Sequence, residues 1–209
     1  MVNKGTTVEE LLALAIGHVN AGQRERARAL CAHALVAFAP HPAVHQLLAL
    51  LDLQQGDVVQ SRQHAAVSLA LRPDHVPTLA VAADAARAAG DLPSALHTLE
   101  RVVALERGHI EAWFQLALVR QDLHDLAGAA QALHEVLRLD PERADALVNL
   151  GIVLQETGRM DEAMRAYGRA FRLRDDSFGR IAHALATPNV GRLWLNLDDL
   201  RSALRTSTV

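Results

Sequence analysis

The chain has 209 residues, of which 50% are apolar and 22% charged, a balance typical of a folded protein. Its 21 basic and 24 acidic residues give a formal net charge of −3, which argues against a broad basic surface for nucleic-acid phosphates. The single cysteine excludes an internal disulfide and a cysteine-rich metal site. An aromatic share of only 3%, beside many Ala and Leu residues, predicts helices.

The N-terminal region carries no recognisable targeting signal. Residues 1–7 are predicted to form a short tail, and the apolar stretch from Leu11 to Ile16 is preceded by Glu9 and Glu10, unlike a signal peptide. No stretch approaches the roughly 18 apolar residues that a membrane-spanning helix needs. The sequence therefore predicts a cytoplasmic protein without a membrane span.

A spacing of 34 residues organises most of the chain. Five turn positions share this spacing and are Gly22, Gly56, Gly90, His124 and Gly158. Each is followed five residues later by a small residue, namely Ala27, Ser61, Ala95, Ala129 and Ala163. The spacing predicts five copies without insertion, at residues 8–41, 42–75, 76–109, 110–143 and 144–177.

Each copy reads as a helical hairpin. Apolar residues recur at helical spacing, and the turn position falls where a first helix of about four turns should end. Small residues such as Gly151, Ala163 and Ala170 allow the two helices to approach closely. A single hairpin has no core of its own, so five in tandem predict an all-α solenoid.

The repeat resembles the tetratricopeptide repeat. That family combines a bulky residue, Leu, Gly, then Ala, an aromatic, Ala and Pro on a 34-residue frame. Residues 144–177 fit best, whereas Trp113 and Pro141 supply the family's Trp and Pro in the fourth copy. Earlier copies depart from the pattern, with Ala15, Ala49 and Ala83 at the first Gly. The resemblance implies a right-handed superhelical α-solenoid whose concave groove is lined by the first helix of each hairpin.

The family geometry implies which residues face the groove and bind a partner protein. The apolar members in the first two copies are Leu12, Ile16, Val19, Leu47, Leu50 and Leu53. The third copy contributes Asp84 and Arg87. The amide-rich and mildly acidic remainder comprises Phe114, Gln115, Leu118, Gln121, Asp122, Asn149, Ile152, Gln155 and Glu156.

This surface indicates the kind of partner. Arg87 is the one basic member, with Asp84 one turn before it, which disfavours the clamp that other members of the family use for a C-terminal carboxylate. An amphipathic partner segment suits the surface better. Two alternatives remain open: the Leu47, Leu50 and Leu53 stripe could pack within the chain, and Asn149 could be merely solvent-exposed rather than bonded to a peptide backbone.

Several other residues suggest chemistry only superficially. His41, His75 and His109 end three consecutive copies and are too far apart for one metal, so they are predicted to be loop or helix-entry residues. Cys31 occupies a packing position and is predicted to be a small buried hydrophobe. No phosphate-binding or nucleophile-elbow motif occurs. The sequence predicts no catalytic, cofactor or metal site.

Residues 178–209 are predicted to form a capping helix and tail. Phe178, Ile181 and Leu185 share one helical face that would close the solenoid. The segment Leu193, Trp194 and Leu195 is expected either to dock on its own last hairpin or to enter another subunit's groove. The favoured function is a non-enzymatic scaffold or adaptor that binds a partner segment. The alternative is a self-assembling structural protein, hence a homo-oligomer.

Overall fold

The computed structural model describes residues 7–186 and 197–206, and all regular structure in these ranges is helical. The first six helices are α1 Val8–Asn20, α2 Arg24–Ala37, α3 Pro42–Gln55, α4 Val58–Leu71, α5 Val76–Ala88 and α6 Leu92–Leu105. The next four are α7 Ile110–Asp122, α8 Leu126–Leu139, α9 Ala144–Glu156 and α10 Met160–Leu173. A 3₁₀ turn, Asp175–Ser177, leads into α11 Phe178–Ala186, and α12 spans Leu197–Thr206. The predicted all-α class is confirmed.

Helices pair in the order in which they occur. Each odd-numbered helix from α1 to α9 begins at the first residue of a 34-residue copy and packs against the helix that follows it. Stacking between copies joins α2 to α3, α4 to α5 and α8 to α9. The chain divides into two compact units, residues 1–106 and residues 107–209. The division into one repeat domain at 8–177 and a cap at 178–209 stays a prediction.

The turn inside each hairpin requires a left-handed residue. Gly22, Gly56, Gly90 and Gly158 have φ between 71° and 83°, a region that glycine enters without steric cost. In the fourth copy His124 takes the same conformation at φ 59°. The backbone of the fourth hairpin therefore follows the same path at a higher local cost.

Polar side chains define where the helices begin. Asp57, Asp91 and Asp125 each precede a second helix and accept a hydrogen bond from the backbone N–H three residues later, at 2.9–3.2 Å. His109 is the N-cap of α7, and its Nδ1 accepts from the backbone N–H of Ala112 at 3.1 Å. His41 and His75 stand at the N-cap positions of α3 and α5, although neither side chain makes a capping hydrogen bond. The predicted helix-entry position of the three histidines is therefore confirmed.

Small residues set the helix spacing in the last hairpin. Gly151 lies against the Tyr167 ring, where a Cβ would stand 2.3 Å from Cε1. Ala163 and Ala170 are fully buried. Cys31 is also buried, and burial raises the pKa of its thiol to about 11, so it behaves as the predicted small hydrophobe rather than as a nucleophile.

The C-terminal helices cover the last hairpin. α11 begins 34 residues after α9, in the frame of a sixth first helix, and buries Ile181 and Leu185. α12 packs chiefly on α10 and buries Leu200 and Leu204. Leu193, Trp194 and Leu195 lie outside the described residues, so their docking stays a prediction. No helix in the described ranges is long and apolar enough to cross a membrane.

Candidate functional site

Five of the predicted apolar groove residues meet in one open cleft between α1 and α3. Leu12, Ile16 and Val19 lie on α1, and Leu47 and Leu50 lie on α3. The cleft has a volume of about 250 Å³. It forms because both helices present residues at helical spacing to the same side. We call it the α1/α3 cleft.

The rest of the lining is uncharged. Asn20, Ala43 and Gln46 complete it, so amide groups are the polar atoms that its side chains offer. Ile16 is 45% exposed, whereas Leu12 and Val19 are half-buried and pack against the core of the first two copies. The cleft therefore offers an apolar surface with hydrogen-bonding groups beside it.

The leucine stripe of α3 divides between core and surface. Leu47 is only 7% exposed and belongs to the core cluster around Leu11 and Leu51. Leu50 and Leu53 are half-buried and pack beside Ala49 in the next cluster. Packing within the chain thus accounts for part of this stripe, and Leu50 keeps an edge in the cleft.

The two groove residues predicted in the third copy lie on α5, not on the helices that form the α1/α3 cleft. Asp84 and Arg87 are exposed on α5, one turn apart. Neither lines the α1/α3 cleft. Their place in a binding surface remains a prediction.

In the second unit, the groove residues of α7 are held by polar contacts. Phe114 is 8% exposed and lies beneath Arg143, whose guanidinium carbon is 4.3 Å from the ring centroid. Arg143 also pairs with Glu111 at 2.8 Å, and Gln115 donates to the same carboxylate at 2.9 Å. The half-buried members of the predicted set in this unit are Gln115, Leu118 and Gln121 on α7 and Ile152 on α9, and the exposed ones are Asp122 on α7 and Glu156 on α9.

Helix α11 covers the two buried amides of α9. Asn149 is 6% exposed, and its Oδ1 accepts a hydrogen bond from Arg180 at 2.9 Å. Gln155 donates to the carbonyl of Ala184 at 2.8 Å and accepts from the Tyr167 hydroxyl at 3.0 Å. A peptide backbone would therefore have to displace Arg180 to reach Asn149. The sequence prediction omitted Arg180, because the repeat was taken to end at Ser177.

A buried polar cluster joins α2, α3 and α4, and sequence reasoning did not find it. Asp52 is 1% exposed and pairs with Arg28, while His64 Nε2 stands 3.8 Å from its other oxygen. His45 and His64 face each other with Nδ1 atoms 3.1 Å apart. Burial of the imidazole lowers the pKa of His45, and the charge of the neighbouring His64 lowers it further. The sequence does contain a signal for this cluster: His45 and Asp52 are polar residues at repeat positions that the fifth copy fills with Leu147 and Leu154.

This cluster does not suggest a metal centre. Within residues 7–186 and 197–206, no group of three or more His, Cys, Asp or Glu side chains is arranged to hold a metal ion. The imidazoles instead hydrogen-bond to each other. Its geometry suits a structural role between neighbouring helices.

Residues 121–187 match the family model of the tetratricopeptide repeat, which confirms the predicted resemblance. The solved structure of YrrB, described as a tetratricopeptide repeat protein with an unusual peptide-binding site, is 18% identical, with a TM-score of 0.77. The match covers 85% of this chain and 91% of YrrB. A search of curated proteins finds no match.

Two further solved structures share the fold. A single-site mutant of MamA is 21% identical with a TM-score of 0.70, over 79% of this chain and 96% of that one. TTC0263, described as a thermophilic tetratricopeptide repeat protein in Thermus thermophilus, is 22% identical with a TM-score of 0.60. That match covers 87% of this chain and 100% of TTC0263. The predicted fold class of an α-solenoid built from helical hairpins is therefore confirmed.

Proposed function

We propose that this chain, which carries tetratricopeptide repeats, is a non-enzymatic scaffold or adaptor that holds an apolar segment of a partner protein in the α1/α3 cleft. The observation that supports this is the convergence of Leu12, Ile16, Val19, Leu47 and Leu50 on one open surface. An exposed apolar concavity of this kind is typical of a protein-binding site.

The cleft selects the chemistry of its occupant. Its lining has no charged side chain, so a free carboxylate or an ammonium group would lose hydration without gaining a partner. Its volume of about 250 Å³ lies below the range of about 300–1,000 Å³ that is usual for small-molecule pockets. The occupant that fits is a pair of apolar side chains one turn apart on an amphipathic helix, with Asn20 and Gln46 beside them.

The remaining predicted groove residues extend this proposal. Asp122 and Glu156 are exposed and acidic, which favours a hydrogen-bonding or basic end of the partner segment at the α7 and α9 surface. The description of YrrB as a peptide-binding repeat protein supports the peptide class of partner. Cytoplasmic location and the absence of nucleic-acid binding stay predictions.

Affinity capture with matched charge substitutions tests the cleft. We expect Ile16→Glu to abolish recovery of a specific partner, since it places a carboxylate at the cleft, whereas Val59→Glu on α4, 65% exposed and outside the cleft, should retain it. Asn149→Ala tests the α9 contribution in the same experiment. Equal recovery by the wild type and Ile16→Glu would refute the cleft assignment.

A second copy of the chain is the alternative occupant. In that case the molecular mass in solution should rise with concentration for the wild type and stay at the monomer value for Ile16→Glu. A monomer at every concentration in both proteins would remove self-assembly through this cleft.

A further inference from the structure

A second groove lies in the other compact unit, between α8 and α10, with α9 as its floor. Leu147, Leu150 and Leu154 form that floor, and Leu137 of α8 and Ala166 of α10 line its sides. The volume is about 270 Å³. We call it the α8/α10 groove, and it shares no residue with the α1/α3 cleft.

The floor is more apolar here than in any other copy. Leu154 stands at a frame position that holds His18, Asp52, Ala86 and Arg120 in the first four copies. Together with Leu147 and Leu150 it makes a stripe of three leucines along one face of α9. No earlier copy has leucine at all three of these positions. The three side chains are 2–6% exposed, and their edges form the base of the groove.

The rim of the groove is basic. Arg165 and Arg169 are exposed on α10, one turn apart, and His134 lies opposite on α8. The fifth copy alone has arginine at both of these frame positions; the earlier pairs are Ala29 with His33, Gln63 with Val67, His97 with Arg101, and Gln131 with Glu135.

The one carboxylate of the lining is already neutralised. Glu162 accepts two hydrogen bonds from Arg159, at 2.8 Å and 2.7 Å. Hydrogen bonding to Arg159, with smaller contributions from Arg165 and His134, lowers the pKa of Glu162 despite opposing desolvation. Arg169 donates to the carbonyl of Pro141 at 2.6 Å, which anchors its guanidinium at the rim. Positive charge therefore prevails around the leucine floor.

We propose that the α8/α10 groove binds an acidic amphipathic segment of a partner protein, with apolar side chains against the leucine floor and carboxylates on Arg165 and Arg169. Charge complementarity selects this occupant, because a basic segment would meet two arginines and a neutral one would leave them unused. Arginine suits the carboxylate through paired N–H donors. The site is separate from the function proposed for the α1/α3 cleft.

Fluorescence anisotropy with synthetic peptides tests this assignment on the full chain. The probe is a labelled peptide of repeated Leu-Glu-Glu-Leu-Leu-Glu-Glu units, compared with versions in which Gln or Lys replaces Glu. We expect the Glu peptide to bind best and Arg165→Glu to weaken it by about tenfold or more. Arg26→Glu, the same charge change on the exposed face of α2, should leave its affinity close to that of the wild type.

The outcomes separate this groove from the cleft. Ile16→Glu should not alter affinity for the Glu peptide, so loss of the cleft function leaves this result standing. A version with Ser in place of Leu reports charge attraction alone and should bind more weakly than the Glu peptide. Equal binding of the Glu and Lys peptides, or an equal loss in Arg165→Glu and Arg26→Glu, would overturn the proposal.

Discussion

His124 shows how a single residue can depart from the repeat without breaking it. The four equivalent positions are glycines with positive φ, whereas His124 adopts φ 59° with a side chain. A left-handed conformation costs an L-residue roughly 1–2 kcal/mol. The 34-residue frame predicted this turn from its position alone, because the hairpin path is set by the helices on both sides.

Replacing this histidine should stabilise the protein. We expect His124→Gly to raise the free energy of unfolding by about 0.5–1 kcal/mol, since relief of the left-handed strain outweighs the larger chain entropy of glycine in the unfolded state. Urea denaturation measures the change. His97→Gly, at an exposed position inside α6, is the matched control and should instead lose about 0.3–0.5 kcal/mol. A loss in both variants would contradict the strain argument.

At the scale of the elements, α2, α3 and α4 are joined by ionisable groups in addition to the apolar contacts between them. Asp52 of α3 forms an ion pair with Arg28 of α2, and His64 of α4 lies close to both Asp52 and His45. His64 is thus the titratable group in contact with His45, and Asp52 lies on the far side of His64. Its pKa below 6.5 means that the folded state resists protonation of the ring.

The stability of this part of the chain should therefore decrease in mild acid. Below pH 6.5 the unfolded state binds a proton on His45 before the folded state does, so stability decreases from pH 6.5 down to the lowered folded pKa. We expect His45→Leu, which introduces the residue found at this frame position as Leu11, Leu79 and Leu147, to flatten that decrease. The midpoint of urea denaturation, measured for the wild type and for His45→Leu at a series of pH values, checks this prediction. The same decrease of the midpoint with falling pH in both proteins would contradict it.

At the scale of the whole molecule, stability is organised by neighbouring copies within each unit. In the second unit α12 packs on α10 and α11: Arg172 of α10 donates to the carbonyl of Leu204 at 3.0 Å, and the guanidinium carbon of Arg201 lies 4.4 Å from the ring centroid of Phe178 on α11. A repeat that lacks a neighbour on one side exposes the apolar face that its own hairpin cannot bury. These contacts support the prediction that the C-terminal segment caps the fifth hairpin, which stays a prediction.

Weakening this cap should destabilise the last hairpin first. Leu204 is fully buried, so we expect Leu204→Ala to cost about 2–4 kcal/mol. Hydrogen exchange should show faster opening of α10 than of α1 to α6 in the variant. Leu197→Ala, at a side chain 54% exposed, should change stability by less than about 0.5 kcal/mol. Uniform acceleration across all helices would contradict a local cap.

The amino-acid sequence alone determined the period, the helix starts and the close-packed crossings. Turn residues such as Gly56 and small residues such as Ala163 act through local backbone and steric rules, so their spacing is sufficient to place them. The groove-facing residues, among them those of the α1/α3 cleft, followed instead from the resemblance to the tetratricopeptide repeat, and their binding role stays a prediction.

Only the tertiary structure decided which polar groups meet. Asn149 accepts a hydrogen bond from Arg180 of α11, and Arg28 donates one to Asp52, which is 24 residues away in the sequence. Leu154 lies in the floor of a groove that has Arg165 at its rim. These pairings join residues from different helices, and they depend on how neighbouring hairpins stack. Periodicity within one copy carries no information about that stacking, which is why the α8/α10 groove and the histidine cluster emerge only in three dimensions.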